Sequence, residues 1–176
     1  DSADNVNDIA TFSSRGPCED GRIKPDVVAP GTWISSAKSS VAPDDNSWSP
    51  ISDNYLYVGG TSQAGPHVSG AAAVFVQYYR TTHTNATPSP ALVKAALINS
   101  AVDLDDSFGT TAVPNNDEGW GRADLTELIG SARAFSYLDQ TVLLAHDQTF
   151  TQSVIVASSS EPLKITLTYT DVPGFP

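Results

Sequence analysis

The sequence predicts an α/β unit followed by the opening of a second, all-β domain. Two observations carry this. The stretch "NYLYVGGTSQAGPHVSGAAAVFV" (residues 54–76) runs from an apolar strand through two glycines into an alanine-rich helix. From about Ser136 the character changes: "YLDQTVLLA", "TFTQSVIVA" and "PLKITLTYT" are strand-length runs rich in Thr, Val, Ile and Leu, separated by polar turns. The boundary falls near residue 134, so that 1–134 form the α/β part and 135–176 the start of the β domain.

Within the α/β part, residues 1–60 read as loop-rich with two extended runs, "IATF" and "KPDVVAP". The polar stretch from Ser39 to Ser52 reads as a surface loop, and "NYLYVGG" as a strand ending in glycines. A helix is expected over 62–80, its small residues Ser69 to Ala73 allowing close packing. After "TTHTNATPSP", a second helix "ALVKAALINSA" starts at Ser89-Pro90, a cap followed by a first-turn proline. Gly119 and Gly121 then make a turn before a third helix in "ADLTELIGSARAF".

Composition excludes several function classes. Of 176 residues, 40% are hydrophobic and 16% charged, the balance of a chain that buries a core. Twenty acidic against nine basic residues give a formal charge of −11, which argues against nucleic acid or an anionic membrane as partner. Cys18 is the single cysteine, so no internal disulfide framework or multi-cysteine metal site exists. No stretch reaches the length of a membrane span. The chain contains no methionine and begins with neither an initiator nor a targeting pattern, as a piece of a longer polypeptide would.

The chemistry concentrates at residues 59–67. A serine hydroxyl is a poor nucleophile until a base takes its proton and donors stabilise the oxyanion. Ser62, at the head of a helix, has its backbone N–H outside the helix ladder and the positive end of the helix dipole beside it. Gly59 and Gly60 remove side chains where a substrate backbone would approach, and Pro66 lies close to the first turn, where a missing donor costs least. A serine N-cap after a glycine turn is the plainer interpretation of the same residues.

The full string "GTSQAGPHVSG" resembles the nucleophile motif of the subtilisin-like serine proteases (subtilases), with Gln63 where Met is usual. The resemblance extends to "FSSRGP" (12–17), "KPDVVAPG" (24–31), "KAALINSA" and "GWGRADL". It implies the C-terminal part of a subtilase catalytic domain, with a mainly parallel sheet, followed by the first strands of a β-sandwich or jelly-roll domain. It implies Ser62 as nucleophile, Gly59, Gly60 and Thr61 as the substrate-binding turn, and Gln63, Pro66 and His67 as support. The longer protein would be a secreted endopeptidase acting on polypeptides, needing no cofactor for chemistry, with structural Ca²⁺ a further expectation for the longer protein.

In subtilases the chain order is Asp, His, Ser, yet no histidine precedes Ser62. His67 is expected to be a packed, hydrogen-bonded core residue, since five residues of helix turn it largely away from Ser62. His83 and His146 lie in a linker and in the β tail. The Asp, His and oxyanion Asn are therefore expected upstream, and the isolated chain is expected to be nearly inactive. The alternative is a non-catalytic, structural or binding module of subtilase type.

Three smaller features complete the reading. Asp103, Asp105, Asp106, Asn115, Asn116, Asp117 and Glu118 form an acidic group, read as a solvated loop, because Phe108 stands where a Ca²⁺-binding EF-hand loop requires Gly. Asn85-Ala86-Thr87 is a glycosylation sequon followed by Pro88. Arg15 and Asp26 are a candidate ion pair near Ser62.

Overall fold

A computed structural model describes residues 5–42, 47–104, 112–130, 134–156, 160 and 162–170. Its elements are β1 (Ile34–Ala37), β2 (Ser49–Pro50), β3 (Tyr55–Val58), α1 (Thr61–Thr82), α2 (Pro90–Asn99) and a π-helical segment, Thr126–Gly130.

The strands form one antiparallel sheet in the order β1-β3-β2. Ile34 pairs with Val58 and Ala37 with Tyr55, while Ser49 pairs with Tyr57. The mainly parallel sheet implied by the resemblance is thus not the sheet that these residues form. Among the described residues, the strand pairing runs from a chain that folds back locally, and parallel pairing needs a distant crossover. The parallel contact found here is the bridge between Val28 and Arg122, with Arg122 also bridging Val102 in the antiparallel sense. "KPDVVAP" contributes that bridge and accepts the Trp120 N–H at the Asp26 carbonyl, 3.0 Å away, without forming a strand. "IATF" is a turn, closed by the Ser13 N–H on the Ala10 carbonyl at 2.8 Å.

The core lies between the helices. Ala71, Phe75 and Tyr79 recur every four residues and form one stripe of α1. They meet Leu92, Ala96 and Leu97 of α2 and Leu128 of the π-helical segment. Phe75 and Leu128 are fully enclosed. The start of α2 follows expectation: Ser89 Oγ accepts from the Leu92 N–H at 3.0 Å, and Pro90 occupies the first helical position. In the third helix Asp124 accepts from the N–H groups of Thr126 and Glu127, and the described residues Thr126–Gly130 form a π-helical segment.

The three C-terminal runs carry no strand among the described residues of 134–170. Leu143, Ile155 and Leu167 are 87%, 97% and 83% exposed, so among the described residues these apolar side chains meet no second layer. Individual pins hold this region to the helices. Asp139 accepts from the Ser89 N–H at 2.8 Å, Asn99 donates to Thr166 at 2.9 Å, and Thr168 donates to the Ala91 carbonyl. Among the described tail residues Tyr137 packs against the core, ringed by Phe75, Tyr79, His83 and Phe135.

Candidate active site at the strand-to-helix turn

β3 delivers the chain to Gly59 and Gly60, and α1 begins at Thr61. At Gly59 a Cβ would stand 2.0 Å from the Trp48 ring, so any side chain there would have to displace that ring. Gly60, with φ at 149°, is the N-cap and supplies no side-chain acceptor. Its N–H donates to the Gly31 carbonyl at 2.7 Å, tying the turn to the loop before β1. Its carbonyl accepts from Gln63 at 3.0 Å and Ala64 at 3.3 Å.

The helix ladder therefore starts at Gln63. The N–H groups of Thr61 and Ser62 lie ahead of it, at the positive end of a 22-residue helix. Ser62 is exposed. An anionic oxygen placed above this turn would meet backbone donors already in position. The Gln63 amide oxygen lies 3.1 Å from the point a Gly60 Cβ would occupy, and the Ser62 nitrogen 3.8 Å from the same point. The amide thus folds over the turn instead of extending into solvent.

Two supporting residues sit differently from expectation. Pro66 is the sixth residue of α1, not a first-turn residue, because the helix begins at Thr61. Its missing N–H withdraws the ladder partner of the Ser62 carbonyl. His67 is exposed, not packed in the core, and its Nδ1 meets the Gln63 carbonyl at 2.8 Å. It shares the stripe of Ala71 and Phe75, but the cluster covering that stripe begins only at Val68 and Ala71.

The remaining histidines do not meet Ser62. His83 lies just past the far end of α1, about 30 Å away at 1.5 Å per residue. It stacks on Tyr79 with ring centroids 4.0 Å apart. His146 pairs with Asp147 at 3.4 Å on the exposed tail.

Arg15 and Asp26 do not pair. Arg15 bridges Asp117 at 2.9 Å, and Asp26 is held by Lys24 and by Lys94, the latter at 2.9 Å. Burial opposes ionisation of Asp26, but the two lysines outweigh it and hold the carboxyl below its ordinary value. The acidic group is not simply solvated. Glu118 is buried, accepting from the Leu104 N–H at 2.9 Å and from the Asn115 amide at 3.2 Å. Asn115 in turn accepts from the N–H groups of Asp117 and Glu118. Asp105 and Asp106 lie outside the described residues. Among the described residues no group of three or more His, Cys, Asp or Glu side chains is placed to hold a metal. Of the described carboxylates, Asp117 holds Arg15, and Glu118 accepts from the Leu104 N–H and the Asn115 side-chain amide. Asn85 of the sequon accepts from Arg80 at 3.3 Å.

Sequence reasoning overlooked an aromatic group at the same turn. Trp33 precedes β1 and Trp48 precedes β2, and their rings meet edge-on at 5.3 Å. Phe12 reaches Trp48 at 6.2 Å and Tyr57 reaches Trp33 at 5.7 Å. The signal was two tryptophans flanking otherwise polar strands.

A strand, a double-glycine turn and a serine at the open head of a long helix define an α/β chain of the kind that serine hydrolases use. The subtilase family model matches residues 2–121, and the chain belongs to that family. It is 41% identical over 124 residues to the minor extracellular protease Vpr of Bacillus subtilis, covering 69% of this chain and 14% of that protein. It is 34% identical over 150 residues to the serine protease/ABC transporter B family protein tagD of Dictyostelium discoideum, covering 70% of this chain and 8% of that protein. The CspB protease structure of Clostridium perfringens superposes with a TM-score of 0.54 at 27% identity, over 74% of this chain and 25% of that one. The chain thus spans a small fraction of the length of these relatives. Among the described residues no helix is long and apolar enough to cross a membrane.

Proposed function

We propose that this chain supplies the nucleophile of a subtilisin-like endopeptidase, with Ser62 attacking the carbonyl carbon of a peptide bond. The observation that carries the reading is the exposed Ser62 at an uncapped helix head, inside a subtilase match. In the attack, the Ser62 Oγ–C bond forms and the hydroxyl proton passes to a base. The tetrahedral oxyanion is held by the Ser62 N–H together with a second donor. Collapse breaks the C–N bond, the protonated base returns its proton to the leaving amine, and water later hydrolyses the acyl-enzyme.

The base is not drawn from this chain. His67 is bound to its own helix, and His83 and His146 are engaged elsewhere. The catalytic His, its Asp and the oxyanion Asn come from residues that precede this stretch in a longer protein, and the isolated chain is nearly inactive. The parallel sheet of the catalytic domain forms with that preceding part, and residues 135–176 open a β-sandwich domain. The extracellular relative supports secretion, and structural Ca²⁺ belongs to this reading only as a property of the longer protein.

An organophosphonate probe tests this. The longer protein should label at Ser62 and cleave a casein substrate, and Ser62→Ala should abolish both. This chain alone should take little label. Absence of labelling at Ser62 in the longer protein would favour a non-catalytic module instead.

A further inference from the structure

Two segments of the tail share an alternation. Along 135–140, Phe135, Tyr137 and Asp139 are half-buried, while Ser136, Leu138 and Gln140 are exposed. Along 165–169, Thr166 and Thr168 are half-buried, while Ile165, Leu167 and Tyr169 are exposed. This is the two-residue period of extended chain with one face covered. Among the described residues no strand covers that face. The helices do.

The first segment is seated by its alternate side chains. Phe135 stacks on Tyr137 at 6.1 Å, and Tyr137 meets Phe75 and Tyr79 of α1 at 5.9 and 5.7 Å. Two residues on, Asp139 accepts the Ser89 N–H at the head of α2. The second segment lies along α2. Asn99, at its end, donates to the Lys164 carbonyl at 3.3 Å and to the Thr166 hydroxyl at 2.9 Å. Thr168 donates to the Ala91 carbonyl in the first turn. Extended chain from Lys164 to Thr168 spans about 13 Å, and α2 from Ala91 to Asn99 rises about 12 Å. The lengths match, so this segment runs antiparallel to α2 from one end to the other.

The apolar residues of the second segment take no part in its seat. Ile165, Leu167 and Tyr169 turn away from α2, and a β layer turns its apolar face toward its own core. The face resting on α2 is therefore the outer face of that layer. We infer that α2 and the far end of α1 form a docking platform for the β domain of the longer protein. The platform joins that domain rigidly to the nucleophile-bearing part, where a simple linker would leave the two free to move. The domain's remaining strands cover Ile165, Leu167 and Tyr169. The inference rests on residues 135–176 opening that domain, and it is independent of the chemistry at Ser62. Phe75 and Tyr79 lie about 20–25 Å from Ser62 along α1, so the seat on that helix is clear of the serine.

The test uses the longer protein carrying Ser62→Ala, which stops self-cleavage. Spin labels are placed through Gln77→Cys on α1 and His146→Cys in the tail, with the other cysteines replaced by serine. Pulsed electron–electron distance measurement should give one narrow distribution. Asn99→Ala with Thr166→Val and Thr168→Val removes the bonds of the second seat, and Tyr137→Ala with Asp139→Ala removes the first. Each set should broaden the distribution at least about twofold, with helix content by circular dichroism unchanged. A broad distribution before either set is introduced overturns the inference, as does an unchanged width when both sets are combined. If Tyr137→Ala costs the fold its helix content, the set on α2 decides alone by the same width. Amide exchange separates the underlying reading: free exchange at 163–169 beside a narrow distribution would instead overturn the assignment of a β domain.

Discussion

Residues 61–130 and residues 134–170 have similar appetites for burial and meet different fates. In the first, Phe75 and Leu128 are 0% and 1% exposed, and α1, α2 and the π-helical segment close around them. In the second, Ile155 and Leu167 stand 97% and 83% exposed, and side-chain bonds to Ser89, Ala91 and Asn99 stand in for a ladder. A helix satisfies its own backbone and needs only one stripe covered. A strand needs a neighbour for its backbone and a layer for its side chains, and neither is supplied locally. The cost of a missing partner therefore falls on the β segment.

The comparison breaks first at the core. Phe75→Ala should cost this chain about 3–5 kcal/mol, and Ile155→Ala less than about 0.5 kcal/mol, in denaturant unfolding. Equal costs would mean that the tail is as well packed as the helices. Glu118→Ala tests whether the loops of the first region share its solidity. It strands the Leu104 N–H in the interior and should cost about 2 kcal/mol.

Ser89 sharpens the contrast within one residue, because its hydroxyl caps α2 while its N–H holds Asp139 of the tail. Ser89→Ala should lower stability by about 1 kcal/mol through the lost cap. Asp139→Ala should cost less, and should raise amide exchange near residue 137 without altering α2.

The smallest effect concerns Tyr137, the described tail side chain that packs against the core. Burial first, and then the neighbouring Tyr78 and Tyr79, push the Tyr137 hydroxyl up to about 12 from an ordinary 10.0. An unfolded tyrosine thus ionises before the folded one. The contribution of Tyr137 is complete below pH 10 and is lost as pH rises toward 12. Its buried hydroxyl makes no hydrogen bond among the described residues. Tyr137→Phe should therefore leave neutral-pH stability unchanged or slightly higher, and flatten the alkaline fall in a melting-temperature series.

Local signals were legible wherever one residue type answers one geometric need. Gly59-Gly60 announced the turn, Ser89-Pro90 the start of α2, and the small residues Ser69 to Ala73 the close packing of α1. Signals that depend on distant partners were not. "ISSA" is polar and β2 is two residues long, so neither looks like a strand until β3 lies between them. Glu118 looks solvated until Asn115 and Leu104 close over it. His67 was expected in the core because five residues of helix turn it away from Ser62, yet the covering cluster stops short of it. The aromatic group was hidden for the same reason: Trp33 and Trp48 are far apart along the chain, and only the strand register makes them neighbours.

The bond between Gly60 and Gly31 also has an architectural consequence. It closes the chain at the root of the segment that carries the sheet, and the β1–β3 pairing zips up directly behind it. The connection between β1 and β2 hangs from that closed root. Its length is free to change without shifting Ser62, since each doubling of a flexible loop adds only about 0.6 kcal/mol of closure entropy. A recognition peptide grafted at that connection should therefore leave the organophosphonate labelling of Ser62 in the longer protein unchanged.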